Sequence, residues 1–337
     1  MKLFSIIAAV ALLALTAPTA RAAVVVKTAE KSYTGDSIIR MTSTEVTIKK
    51  GALPTTIQVN KIIEIRFGGE STLMPKVREF AKNGRYEDAV ELLGKIKSGS
   101  LENYITQDVQ FYRAYCRSQM ALGGTVNVTT AATELKTFAD ENPNNYHFYE
   151  CTELLGRLAV ALGSFDKAKE YYTELARSPW PDYRIRAFTA VGEAEVAQGN
   201  FPTAMLRFDG ALKIPAADAK SQQNQQVALI GKGRCLAETG NVAGGIATIN
   251  KVIKDVGPEA RLLLPRAYLA LGYCYKKDSK PQEAVLQFLM VDLVYNSHRA
   301  SHAEALKNLV GLWQSINKIE NSRKAKARLR QLYPGVG

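Results

Sequence analysis

The sequence predicts a mostly α-helical solenoid of six or seven helical hairpins behind a small β domain. Three observations predict it: the apolar pattern changes near residue 70 from period two to the helical period, a unit of roughly 36 to 41 residues recurs from Tyr146 to about Val291, and glycines hold fixed places within that unit. With 46% apolar residues, the chain of 337 can bury a core of that size.

The chain divides into residues 1–22, 23–70 and 71–337. The first piece reads as a cleavable export signal. Met1-Lys2-Leu3-Phe4 is a basic start, Ile6 to Leu15 carries no charge, and Ala20-Arg21-Ala22 is a small-x-small cleavage site. An apolar run of roughly 10 to 13 residues is too short to span about 30 Å of hydrocarbon, so cleavage after Ala22 is expected rather than anchoring. No other segment is apolar enough to cross a membrane, and no cysteine stands at the end of the run to take a lipid. Removing Lys2 and Arg21 takes the formal charge from +12 to +10, which favours acidic peptides, anionic polymers or lipid headgroups.

From Ala23 to about Glu70, four runs alternate: Ser37 to Met41, Glu45 to Lys49, Thr56 to Val59 and Ile63 to Phe67. Gly35-Asp36, Gly51 and Asn60-Lys61 split them, and Gly68-Gly69 closes the region, so a meander of four or five strands is expected. In strand spacing the piece resembles the small SH3-like or Sm-like barrels at the front of some exported bacterial proteins.

Beyond Leu73 the repeat declares itself. Leu155-Gly156 is followed by Gly163, Phe165, Ala168, Tyr172 and Leu175; at identical spacing, Val191-Gly192 is followed by Gly199, Phe201, Ala204, Phe208 and Ala211, and Pro215 ends the unit. Further copies carry Gly233, Gly240, Val242, Gly245 and Ile249, then Leu271-Gly272, Ala284 and Phe288. An earlier copy runs from Tyr112 to Pro143, half a copy from Gly84 to Ile96, and a degenerate one from Ala305 to Pro334. Over about 260 residues this resembles the tetratricopeptide repeat family. Small residues in the seam let paired helices approach, large residues fill it, and the glycine between the helices turns the chain through a left-handed conformation. Cys116 stands where Gly156 stands in its copy, and Pro281 where Phe165 does, which leaves the repeat count open by one.

Catalytic chemistry has little to work with. The chain lacks a Gly-x-Ser-x-Gly elbow, a phosphate-binding loop, a dinucleotide fingerprint and a His-Glu-x-x-His motif. Its histidines are His147, His298 and His302; the last two share a helix face without a third ligand of clear spacing, so an ordinary helix start behind Ser297 outweighs a metal. Glu170 with Glu174, and Glu193 with Glu195, read as solvated helix faces. Cys116, Cys151, Cys235 and Cys274 fall in separate helices without a Cys-x-x-Cys pair, and packed helix axes about 8 to 10 Å apart disfavour bridges, so all four read as small buried residues. No enzyme, cofactor or metal is expected.

The resemblance implies a concave groove built from the first helix of each pair, with the place after the seam residue pointing inward. That place holds Arg78, Arg117, Arg157, Glu193, Arg234 and Tyr273, and Arg113 and Arg266 lie one or two turns earlier. Such a ladder of guanidinium groups suits a carboxylate or phosphate, which makes an acidic protein or peptide segment the leading ligand. Arginine here also serves as a structural partner for an acid on the neighbouring helix, with Glu153 one turn before Arg157, and that reading carries the greater weight.

The basic run Lys318, Arg323, Lys324, Lys326, Arg328 and Arg330 reads as a solvated capping helix, with peripheral contact to an anionic envelope surface as its alternative. Nucleic acid is not expected for an exported chain. The expected function is therefore a protein–protein interaction scaffold of the periplasm or cell envelope; the alternative is an electrostatic binder of an anionic polymer or membrane surface.

Overall fold

A computed structural model describes residues 23–96 and 103–334; the expected export signal at 1–22 lies outside the described residues. Six strands precede the helices: β1 (Val24–Thr28), β2 (Ser32–Gly35), β3 (Ser37–Met41), β4 (Glu45–Lys50), β5 (Leu53–Gln58) and β6 (Ile62–Arg66). They form two antiparallel three-stranded sheets, ordered β2-β1-β6 and β3-β4-β5. The strands beyond the four alternating runs have a plain cause. Val24-Val25-Val26 is apolar throughout, and β2 buries only Gly35, so pairing with β1 rather than an apolar pattern makes it a strand. At the corner between the sheets a Cβ on Gly35 would lie 2.9 Å from the Lys49 carbonyl oxygen, so only glycine fits.

The helices pair in chain order. The first three hairpins are α1 (Met74–Lys82) with α2 (Tyr86–Gly94), α3 (Asn103–Leu122) with α4 (Val128–Glu141), and α5 (Phe148–Ala161) with α6 (Phe165–Ala176). Then come α7 (Pro181–Ala197) with α8 (Phe201–Lys213), α9 (Ala219–Glu238) with α10 (Val242–Val256), α11 (Leu264–Lys277) with α12 (Pro281–Leu293), and α13 (Arg299–Ser315) with α14 (Ile319–Leu332). The described residues thus hold seven hairpins, and none of their helices is long and apolar enough to cross a membrane.

Every hairpin turns through one left-handed residue: Gly84, Gly124, Gly163, Gly199, Gly240, Ser279 and Asn317. The last two show that the geometry belongs to the repeat and not to glycine. Serine at φ 57° carries Cβ strain that glycine avoids. Ser279→Gly should therefore raise stability by about 0.5 to 1 kcal/mol after glycine's own entropy cost, a gain that urea denaturation would register and an unchanged midpoint would refute.

The seams follow one rule. A Cβ on Gly192 would lie 2.7 Å from the ring of Phe208, one on Gly233 2.6 Å from Ile249 Cγ1, and one on Gly272 2.6 Å from the ring of Phe288. Gly156 meets the ring of Tyr172 in the same way. All four cysteines are buried and free, and burial pushes the thiols of Cys116, Cys235 and Cys274 up to about 12.

The β region and the solenoid share a core. Val26, Val46, Ile48 and Ile65 belong to one apolar cluster with Ile105, Tyr149, Trp180 and Tyr183, so the sheets sit against the N-terminal ends of α3, α5 and α7. Lys220, at the start of α9, adds a hydrogen bond to the Asn60 carbonyl oxygen at 3.3 Å and an ion pair with Asp182 at 2.9 Å.

A polar cluster pins the junction. Arg78 grips both oxygens of Glu70 at 2.8 and 2.6 Å and reaches Asp108 Oδ2 at 2.7 Å. Asp108 Oδ1 accepts from the Tyr146 hydroxyl at 2.8 Å and faces His147 Nε2 at 3.4 Å, while His147 Nδ1 lies 2.9 Å from Glu150. Burial alone would lower the His147 pKa, but its bonds to Asp108 and Glu150 outweigh burial and hold it above the usual 6.5.

Candidate functional site

The first helices of the hairpins line a concave channel with three connected lobes of about 200, 450 and 470 Å³. Arg157, Arg266 and His298 border all three. The seam rule puts Arg157 there: Gly156 is pressed against Tyr172, which turns the next residue of α5 toward the channel.

The expected pairing of Arg157 with Glu153 does not form. Glu153 is taken by Arg186 of α7, and the Arg157 side chain has no hydrogen-bond or ion-pair partner among the described residues. Arg266 pairs with Glu193 at 3.2 Å. Arg234 stacks 3.8 Å from the ring centre of Tyr273, whose hydroxyl donates to Glu304 at 2.6 Å and accepts from Asn308 at 3.0 Å.

Three residues of the expected ladder are spent elsewhere. Arg78, 5% exposed, is committed to Glu70 in the loop after β6 and to Asp108 of α3, and so is not offered to a ligand. Arg113 donates to the Leu93 carbonyl at 3.3 Å on α2, and Arg117 pairs with Glu134 of α4 at 2.6 Å. Both turn from the channel toward the second helix of a hairpin.

His298 begins α13 as its cap: Nδ1 accepts from the Ser301 amide at 3.2 Å. Burial, then the charges of Arg266 and Arg157, push its pKa down to about 3, so the ring is neutral at ordinary pH and adds no charge to the channel. His302 is not free for a shared metal with it, since its two ring nitrogens face Asp292 at 2.7 Å and the Tyr333 hydroxyl at 2.8 Å.

The channel also closes on itself. Arg299, at the start of α13, pairs with Glu87 of α2 at 3.8 Å, and its Nε would lie 3.1 Å from a Cβ on Gly123 at the end of α3. Among the described residues no apolar cluster spans this contact, so the solenoid comes round to its own first hairpins across a polar seam.

Residues 153–224 match the family model for the tetratricopeptide repeat. Those residues carry the tetratricopeptide repeat. Among solved structures, a Rap protein complexed with competence and sporulation factor is 13% identical over 78% of this chain and 76% of its own, at a TM-score of 0.54. The apo form of the quorum sensor NprR from B. thuringiensis is also 13% identical, covering 77% of each chain at a TM-score of 0.52. A tetratricopeptide repeat protein from Parabacteroides merdae is 15% identical over 78% of this chain and 97% of its own, at 0.48. The likenesses to the Rap protein and to NprR show the fold. No curated protein matches the sequence.

Lys82, Arg186, Arg261, Arg299 and His298 were absent from the expected site. Arg186 sits on the tetratricopeptide repeat's first helix but outside the position after the seam, so counting that one position misses it. The other four lie at helix ends or in loops between hairpins, and only the winding of the solenoid brings them to the channel.

Proposed function

We propose that this chain is a non-catalytic scaffold, exported to the cell envelope, that holds a partner protein through an extended acidic segment laid in the concave channel. Arg157 carries the reading. Its guanidinium is half-buried, borders all three lobes and has its N–H donors unspent, so an incoming carboxylate meets a fork that no internal acid already fills. Arg234, held over the ring of Tyr273, offers a second guanidinium along the same wall, and Val227, Ile230, Leu262 and Leu269 supply apolar surface. Tetratricopeptide solenoids are typically non-catalytic and serve protein–protein contact, and the Rap protein of similar fold is complexed with competence and sporulation factor. Export rests on the basic start, the apolar run and the Ala20-Arg21-Ala22 site of the sequence.

A capped glutamate-rich peptide and its glutamine counterpart, titrated by fluorescence anisotropy, test the reading. The glutamate peptide should bind, and Arg157→Ala should weaken it about 10- to 100-fold, since a shielded charge-assisted bond is worth about 1.5 to 3 kcal/mol. Changing Lys324 and Lys326 of the exposed basic run to Gln should do far less. Equal binding of the two peptides, or full affinity in a folded Arg157→Ala protein, would overturn it.

A further inference from the structure

The lobe at the closing seam differs from the other two in charge. It is bordered by Lys82, Arg157, Arg261, Arg266 and Arg299, and by no carboxylate. Glu193 and Glu87 reach in to pair with Arg266 and Arg299, which leaves Lys82, Arg157 and Arg261 with no hydrogen-bond or ion-pair partner for their side chains among the described residues. These cations come from opposite arms of the solenoid. Lys82 ends α1, whereas Arg261 precedes α11 and Arg299 opens α13. Like charges therefore face each other across a contact that no apolar packing holds, and their mutual repulsion favours parting the arms.

Building on the channel as the binding surface, we infer that this lobe is a site for a compact polyanion carrying two or three negative charges, which draws the first and last hairpins together. Two features fit a small, densely charged group. The cavity is about 470 Å³, and the uncompensated charge is that of three side chains converging from three directions. A single carboxylate would leave like charges still opposed. Adjacent carboxylates of a partner segment and a phosphoryl group share the needed chemistry, because guanidinium forks and a lysine ammonium donate to the oxygens of either.

The test uses the purified protein with three probes at matched ionic strength: sodium pyrophosphate, a capped triglutamate amide and sodium acetate. Pyrophosphate or triglutamate should raise the melting temperature saturably, and acetate should not. Isothermal titration should show a loss of about tenfold or more in the double variant Lys82→Gln/Arg261→Gln. Both residues are exposed and unpaired, so the variant should fold as the parent does. Lys324→Gln/Lys326→Gln on α14 removes the same charge and should keep full affinity. Tighter triglutamate would identify the source as a partner's acidic run, and tighter pyrophosphate as a phosphoryl group; either supports the site. No saturable binding, equal stabilisation by acetate, or equal losses in the two double variants would overturn it. Loss of the glutamate-rich peptide in Arg157→Ala alongside an unaffected Lys82→Gln/Arg261→Gln protein would leave the channel reading standing and remove this one.

Discussion

Asp108→Ala should cost about 3 to 5 kcal/mol and loosen the β region from the helices, the largest effect expected of any single side chain here. Asp108 is 1% exposed and is the point where Arg78, Tyr146 and His147 converge. Removing it leaves a buried guanidinium with one acid in place of two, an imidazole with Glu150 alone, and a tyrosine hydroxyl without an acceptor. Each must then be desolvated without return. Because Glu70 joins the strands to α1 through the same Arg78, the damage should reach the junction and speed proteolysis after residue 66. Urea denaturation at neutral pH would measure the cost, and a loss below about 1 kcal/mol would show that the cluster is not the clamp.

The same cluster sets a pH window. Burial opposes ionisation of Asp108, but the bonds from His147 and Arg78 prevail and hold its pKa below the usual 3.8; that of His147 is held above 6.5. The aspartate's contribution is present above 3.8 and is lost as pH falls through its lowered value. The histidine's is complete below 6.5 and is lost as pH rises through its raised value. The cluster therefore stabilises most between those two reference values, and in Asp108→Ala that dependence should flatten.

The second large effect belongs to the seam. Gly245→Ala should cost about 3 kcal/mol, because the new methyl would press on the Gly233 carbonyl oxygen and lie 3.1 Å from Ala237 Cβ and from its backbone nitrogen. Backbone cannot rotate away as a side-chain tip can, so the α9 and α10 axes must separate. Gly192→Leu presses instead on the Phe208 ring and should cost about 1 to 3 kcal/mol. Gly311→Ala is the control of opposite sign. It sits exposed within α13 with no heavy atom within 4 Å of its Cβ, and should gain about 0.5 to 1 kcal/mol. If Gly245→Ala and Gly311→Ala melt alike, the close-packed seam is not what holds the repeat.

What the sequence determined by itself is the repeat: the helical periods, the small residues of the seams, the large ones opposite them and most of the turns. Those features were legible because each depends on neighbours within one unit, and Gly192 with Phe208 recurs as Gly272 with Phe288. Four of the six strands were legible for the same reason, while β1 and β2 were not: Val24-Val25-Val26 does not alternate, and only pairing with β1 makes β2 a strand. The channel was legible only in part. Arg157 and Arg234 stand where the repeat register puts them, but a register says which way a side chain points and not which acid waits there. Glu153 could reach Arg157 within its own helix, yet Arg186 of the next hairpin took it, and Arg78 went to Glu70 of the loop after β6 and to Asp108 of α3. Only the tertiary structure decided these partners, and only it brought Lys82 and Arg261 to one lobe, because small rotations between successive hairpins accumulate over the whole solenoid until its ends meet.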